Sequence, residues 1–114
     1  KERRQEKETS DTPTRAMLML NMVTTEELLD DAEYQDIMED VRSECERHGT
    51  VTSVYIPRPD GTDAEPQGVG RVYVQFEHTP QCEAALRAIA GRQFDGRTVI
   101  CAYVRDEAWP RAAA

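Results

Sequence analysis

Tyr34, Ile37, Met38, Val41 and Cys45 recur at spacings of three and four residues, which places them on one face of a helix over residues 32–47. A helix with a single apolar stripe must bury it against another layer, so the rest of so short a chain has to supply that layer. The remainder of the segment is loaded with carboxylates. Between residues 26 and 47 stand ten acidic residues and two basic ones, Arg42 and Arg47. Asp36, Asp40 and Glu44 follow at i, i+4 and i+8. At about 100° per residue, Glu44 falls at the border of the apolar stripe, with Asp40 and Asp36 progressively further round on the same side. Such a flank repels phosphate backbones and attracts basic peptides. A plainly solvated helix face has the same composition, so the charge run does not decide by itself.

The covering layer is legible in the other segments. AMLMLNM, residues 16–22, is an apolar run too short for a typical helix and closed by Asn21, which suits a central strand. Gly49 ends the acidic helix. Residues 51–56 give a second strand, with Pro57 and Pro59 stopping further pairing. A polar loop over residues 59–70 leads into RVYVQF, residues 71–76, where Val72, Val74 and Phe76 alternate with Arg71, Tyr73 and Gln75 as in a half-buried strand. Thr79 reads as the cap of a second helix, with Pro80 at its first position. Cys82, Ala85, Leu86 and Ile89 continue it until Gly91, and after the loop GRQFDG residues 98–104 give a fourth strand. The order βαββαβ predicts an α+β, ferredoxin-like fold, a four-stranded antiparallel sheet with two helices on one face, an architecture shared by the RNA-recognition motif, metal carriers, amino-acid sensors and small hydrolases.

At 114 residues, 39% apolar and 32% charged, with a net charge of −8, the material suffices for one small domain, expected over residues 15–107. Residues 1–14 read as a disordered tail or linker and residues 108–114 as a C-terminal tail. The chain begins at Lys1, as an excerpt of a longer protein would. No segment reads as a membrane span or a signal peptide, so an intracellular protein is expected; nothing in the sequence supports a homodimer, and a monomer is expected. Cys45, Cys82 and Cys101 lack metal-ligand spacing and fall in core elements, which predicts buried thiols and no metal. No cofactor is expected. No nucleophile, base and orienting group stand at informative spacing, so no enzyme is expected either.

The fold class hosts RNA readers, and their third strand carries K/R-G-F/Y-G/A-F-V-x-F/Y. VGRVYVQF, residues 69–76, keeps Gly70, Val74 and Phe76 in frame but has Val69 for the basic residue and Arg71 for the first stacking aromatic. Leu18 occupies the matching aromatic position of the first strand, leaving only Tyr73. With stacking worth about 1–3 kcal/mol per base, RNA binding through the sheet is expected to be weak or absent. An RNA-binding domain using Tyr73 and Arg71 remains the alternative.

LNMV (residues 20–23), EELLDDAEYQDIMEDVRSEC (26–45), IPRP (56–59) and GRQF (91–94) together resemble the U2AF homology motif, or UHM, the type of domain found at the C-terminus of the U2 auxiliary factor large subunit. The resemblance runs from about residue 15 to residue 104. It implies a nuclear, non-enzymatic protein-binding domain of pre-mRNA splicing, active in 3′ splice site recognition. Its ligands would be basic linear motifs containing one tryptophan, as in the branch-point-binding protein or the large SF3b scaffold subunit of the U2 particle. By the same resemblance the tryptophan would enter a pocket between the two helices, Phe94 stacking on the indole and Arg92 closing over it and pairing with Glu44. Asp36, Asp40 and Glu44 would face the ligand's basic residues, and Met38 and Val41 would line the pocket. Trp109, preceded by Asp106 and Glu107, reads as part of a passive tail.

Overall fold

Alternation puts Met17 and Met19 on one side of a strand and Ala16 and Leu18 on the other, and all four are buried. In the computed structural model, which describes residues 8–59, 70–94 and 96–110, that strand is the centre of the sheet. The elements in chain order are β1 (Thr9–Ser10), β2 (Ala16–Leu20), α1 (Thr25–Leu29), α2 (Asp31–Glu46), β3 (Val51–Tyr55), β4 (Val72–Phe76), α3 (Thr79–Ile89), β5 (Gln93–Phe94), β6 (Arg97–Thr98) and β7 (Ile100–Val104), followed by a 3-10 turn, Asp106–Ala108. The main sheet has the order β1-β7-β2-β4-β3, and every pairing is antiparallel. The expected α+β fold is present, with four long strands and both principal helices packed on one face.

Met17, Met19, Val72, Val74 and Phe76 from the sheet meet Leu28, Val41, Cys45, Cys82, Ala85 and Ile89 from the helices in the main core. Cys45 and Cys82 are fully buried and Cys101 half-buried. Burial pushes their thiols up to about 12, about 12 and about 11, which keeps them protonated at neutral pH.

Several elements differ from the sequence expectation. The region before the long helix holds a second helix, α1. Thr24 Oγ1 accepts from the Glu27 N–H at 3.2 Å and Glu27 Oε1 accepts from the Thr24 N–H at 2.9 Å, a reciprocal cap that stabilises even a five-residue turn. α2 begins at Asp31, one residue earlier than predicted, because Asp30 caps it by accepting from the Glu33 N–H at 3.0 Å. α3 is capped by His78, not Thr79, and Pro80 sits second; its missing N–H is harmless anywhere in the unpaired first turn.

Gly49 lies beyond the Arg47 cap of α2 and serves close approach: a Cβ there would stand 2.3 Å from Gln81 Cβ at the start of α3. Thr9–Ser10, assigned to the tail, form the edge strand beside β7. Most of the loop read over residues 59–70 lies outside the described residues, as do residues 1–7 and 111–114 of the two tails.

Arg58, of the IPRP segment, fixes α1 and α2 to the end of β3. Its Nε donates to Leu28 O at 2.8 Å, its Nη2 pairs with Asp31 Oδ1 at 2.8 Å, and its guanidinium lies 4.3 Å from the centre of the Tyr34 ring. Tyr34 in turn donates to Ile56 O at 3.0 Å.

Candidate peptide-binding groove

The segment between α3 and β7, expected as a plain loop, folds into the β5–β6 hairpin. Gly91 turns the chain out of α3 at a φ of +87°, open to glycine without strain. The Gly91 N–H donates to Val99 O and the Val99 N–H to Arg92 O, both at 2.9 Å. Val99 is thereby pinned in the core at 2% exposure. Arg97 ties the hairpin to the end of β2, donating to Asn21 O at 2.9 Å and Met22 O at 3.1 Å. The hairpin thus holds Arg92 and Phe94 opposite the flank of α2.

Between them lies a groove of about 360 Å³. Met22, Ile37, Val41, Ile89 and Val99 supply its apolar lining, Phe94 and Gln93 come from the hairpin, and Asp40, Ser43, Glu44, Arg47 and Arg92 form its polar part. Phe94 is 40% exposed, an unusual position for an aromatic ring with no polar atom. Arg92 Nη1 donates to Glu44 Oε2 at 2.9 Å, and Arg47 Nη1 donates to Glu44 Oε1 at 3.4 Å. The Arg92 hydrogen bond, reinforced by the neighbouring positive charges, holds the Glu44 carboxyl below its ordinary value. With Arg92 half open to solvent, such a pair contributes at most about 1 kcal/mol to stability. Its importance is positional: it spans from hairpin to helix at the edge of the groove.

Of the residues singled out from the sequence, Asp40, Val41, Glu44, Arg92 and Phe94 come together here. Asp36 is exposed on α2 one turn before Asp40 and does not line the groove. Met38 does not line it either; it packs against the main core. The helical projection explains the correction. Counted from Val41 at about 100° per residue, Ile37 and Glu44 fall to one side and Met38 to the other. The same projection would have picked out Ile37, which the sequence reading left off the site. Met22, Ile89 and Val99 come from three further segments and carried no local signal.

The opposite face of the sheet is not bare. Ala16, Leu18, Tyr73 and Val104 are buried there beneath Tyr55, Ala108 and Trp109. Tyr55 stacks on Tyr73 with ring centres 6.0 Å apart, and Trp109 meets Tyr73 edge-on at 6.1 Å. Trp109 therefore covers the sheet and stays out of the groove, in contrast to the passive tail expected. Glu8 accepts hydrogen bonds from both Arg71 and the Tyr73 hydroxyl.

The strand order and the helices on one face define an RNA-recognition-motif fold. Among solved structures, that of the RNA15 RRM aligns with a TM-score of 0.53 at 16% identity, covering 84% of this chain and 95% of that one. The structure of the RNA Binding Protein PG1 aligns at 0.52 and 19% identity, covering 77% and 90%. Such likeness is one of fold. No protein-family model matches the chain.

Sequence narrows the class. The U2af large-subunit splicing factor of Nicotiana plumbaginifolia is 36% identical over 90 residues, spanning 79% of this chain and 16% of the relative. Its counterpart in Oryza sativa subsp. japonica is 37% identical over 91 residues, 80% and 17%. The serine/threonine-protein kinase Kist of Pongo abelii is 32% identical over 99 residues, 87% and 22%. The chain spans about a fifth or less of each of these relatives. It is a UHM/RRM-type domain, close to that of the U2AF large subunit.

Proposed function

We propose that the groove binds a basic linear peptide segment bearing one tryptophan, and that the domain acts by this recognition in a pre-mRNA splicing factor, without catalysis. The observation that carries the reading is the joint placement of a half-exposed Phe94, an apolar slot and a carboxylate flank on one concavity. An indole slides into the slot and stacks on Phe94, the type of buried aromatic anchor that dominates binding energy. Asp40 at the groove and Asp36 one turn away select lysine or arginine beside the anchor and speed its approach. Arg92, held by Glu44, closes over the indole. Candidate ligands are such segments in the branch-point-binding protein and the large SF3b scaffold subunit, which would place the domain in the nucleus at the 3′ splice site. The chain's similarity to a kinase as well as to splicing factors fits a binding module used in different parent proteins.

The test is calorimetric titration of the 114-residue chain with a short Lys/Arg-rich peptide containing one tryptophan, beside its Trp→Ala counterpart. Binding of the first and not the second is expected. Equal binding of the two would overturn the reading.

A further inference from the structure

The side chain of His48 stands just beyond the Arg47 cap of α2. Among the described residues, its Nε2 is the buried side-chain nitrogen or oxygen that has no hydrogen-bond partner. Buried polar atoms are rarely left so, and each exception asks for a reason. The acid beside it is Glu44, one turn back on α2, whose Oε2 lies 3.8 Å from Nε2, beyond hydrogen-bond length. That same oxygen accepts from Arg92 at 2.9 Å. His48 therefore stands behind the carboxylate that anchors the groove's arginine, without itself lining the groove.

We infer that His48 is a positioning residue of the groove: on gaining a proton it competes with Arg92 for Glu44, and affinity for a basic tryptophan peptide falls with pH. The inference rests on the reading of the groove as a peptide site. A neutral imidazole has one N–H and one lone pair, and a lone pair turned to a carboxylate oxygen stands off from it. The protonated ring donates at both nitrogens. Histidine is the side chain whose ordinary charge change falls between about pH 5 and 8. The Glu44 carboxyl, held below its ordinary 4.5, stays ionised throughout that range, so what changes is which cations hold it. Arg92 reaches Oε2 from the hairpin segment, Arg47 reaches Oε1 at 3.4 Å from the end of α2, and the proton makes His48 a third. With Oε2 shared, Arg92 is held less firmly over the slot. The rim of the groove also gains a positive charge, which opposes a basic ligand.

The other charged groups nearby have their own places. Asp40, one turn before Glu44, is the groove's second carboxylate, and Glu46 pairs with Arg42 at 3.8 Å. α3 meets the turn through the uncharged Gln81, against Gly49. The Glu77 N–H donates to Thr50 O, and the Glu77 carboxylate pairs with His78 at 3.7 Å. His78, the second of the chain's two histidines, caps α3 outside the groove and serves as the control.

The test has one arm on the free chain and one on the complex. In the free 114-residue chain, NMR should show the Arg92 guanidinium resonances titrating together with the His48 ring between about pH 8 and 5.5. Arg92 resonances that stay fixed while His48 titrates would overturn the inference. In the second arm, an acetylated, histidine-free Lys/Arg-rich peptide with one tryptophan is titrated calorimetrically across the same range. Its Kd should rise about three- to fivefold toward the acid end, the scale of one half-exposed ion pair. His48→Gln should flatten this profile, whereas His78→Asn, which keeps a capping side chain, should retain it. A His48→Gln variant that binds more weakly yet keeps the full pH slope would show a purely structural role and overturn the inference. So would a native Kd that does not change with pH. Both measurements on the native chain stand even if His48→Gln fails to fold. A peptide that binds at no pH would refute the groove's reading and the inference with it, and the free-chain arm distinguishes that failure from the lack of a link between His48 and Arg92.

Discussion

Phe94→Ala separates the binding role of this ring from a structural one. At 40% exposure, the ring has already gained about three-fifths of the roughly 1.5–3 kcal/mol available from full burial of a phenylalanine. Its truncation should therefore lower stability by about 1–2 kcal/mol, leaving the domain folded. The remaining two-fifths becomes available only when a ligand covers the ring, and stacking against an indole adds about 0.5–1.5 kcal/mol. Together these give a loss of about 1–3 kcal/mol in binding, or about 6- to 100-fold in Kd. The assay is calorimetry with the tryptophan peptide, with a denaturation midpoint measured on the same sample. An unchanged Kd in a folded variant would refute the assignment of Phe94 as the stacking ring. A collapse of stability with no folded population would show that the ring is a core residue and its exposure misleading.

Asp40→Lys/Glu44→Lys should weaken a basic peptide at least tenfold at low ionic strength. The deficit should shrink toward 1 M salt, where the screening length falls to about 3 Å, and a salt-independent loss would count against charge complementarity. Arg92→Ala should raise the Glu44 pKa toward its ordinary 4.5, since the Arg92 hydrogen bond is the largest cause of its depression. Because the folded-state value lies below the ordinary one, the stabilisation from this pair is full above pH 4.5 and disappears as pH falls through the depressed value. A carboxyl-resolved NMR titration unchanged by the substitution would contradict the pairing. Gly49→Ala sets a Cβ 2.3 Å from Gln81 Cβ, which no side-chain rotation relieves, because that atom is fixed to the α3 backbone. The start of α3 must shift, at about 1–3 kcal/mol, and Tm should fall by at least about 4 °C; an unaltered Tm would show that the two segments are not in contact.

What could be seen in advance followed the range over which each signal acts. The apolar stripe of α2 and the alternation in β4 are local patterns, and they located the sheet and its two principal helices. The capping residues Thr24 and Glu27 were equally local and marked α1, but five residues carry too little periodicity to announce a helix. β1 offers two polar residues whose pairing depends wholly on β7. Tyr73 was read on the open side of a half-buried strand and is 3% exposed, because its covering comes from Glu8 and Trp109, 65 and 36 positions away in sequence. The groove divides in the same way. Its carboxylates and the Arg-x-Phe of GRQFDG were visible as residue patterns, while the β5–β6 hairpin that holds Arg92 and Phe94 was not. Met22, Ile89 and Val99 become a lining only when three segments converge, and the choice between Ile37 and Met38 turned on the direction of projection from the helix.

The Arg105 N–H donates to Glu8 O at 3.0 Å, so the polypeptide enters and leaves the sheet side by side, at the same end of the antiparallel β1–β7 pair. Tension applied between Glu8 and Arg105 would load these bonds one after another, as in opening a zipper, and would not shear them together. The β1 edge would yield at low force while the interlocked β7-β2-β4-β3 body remained intact.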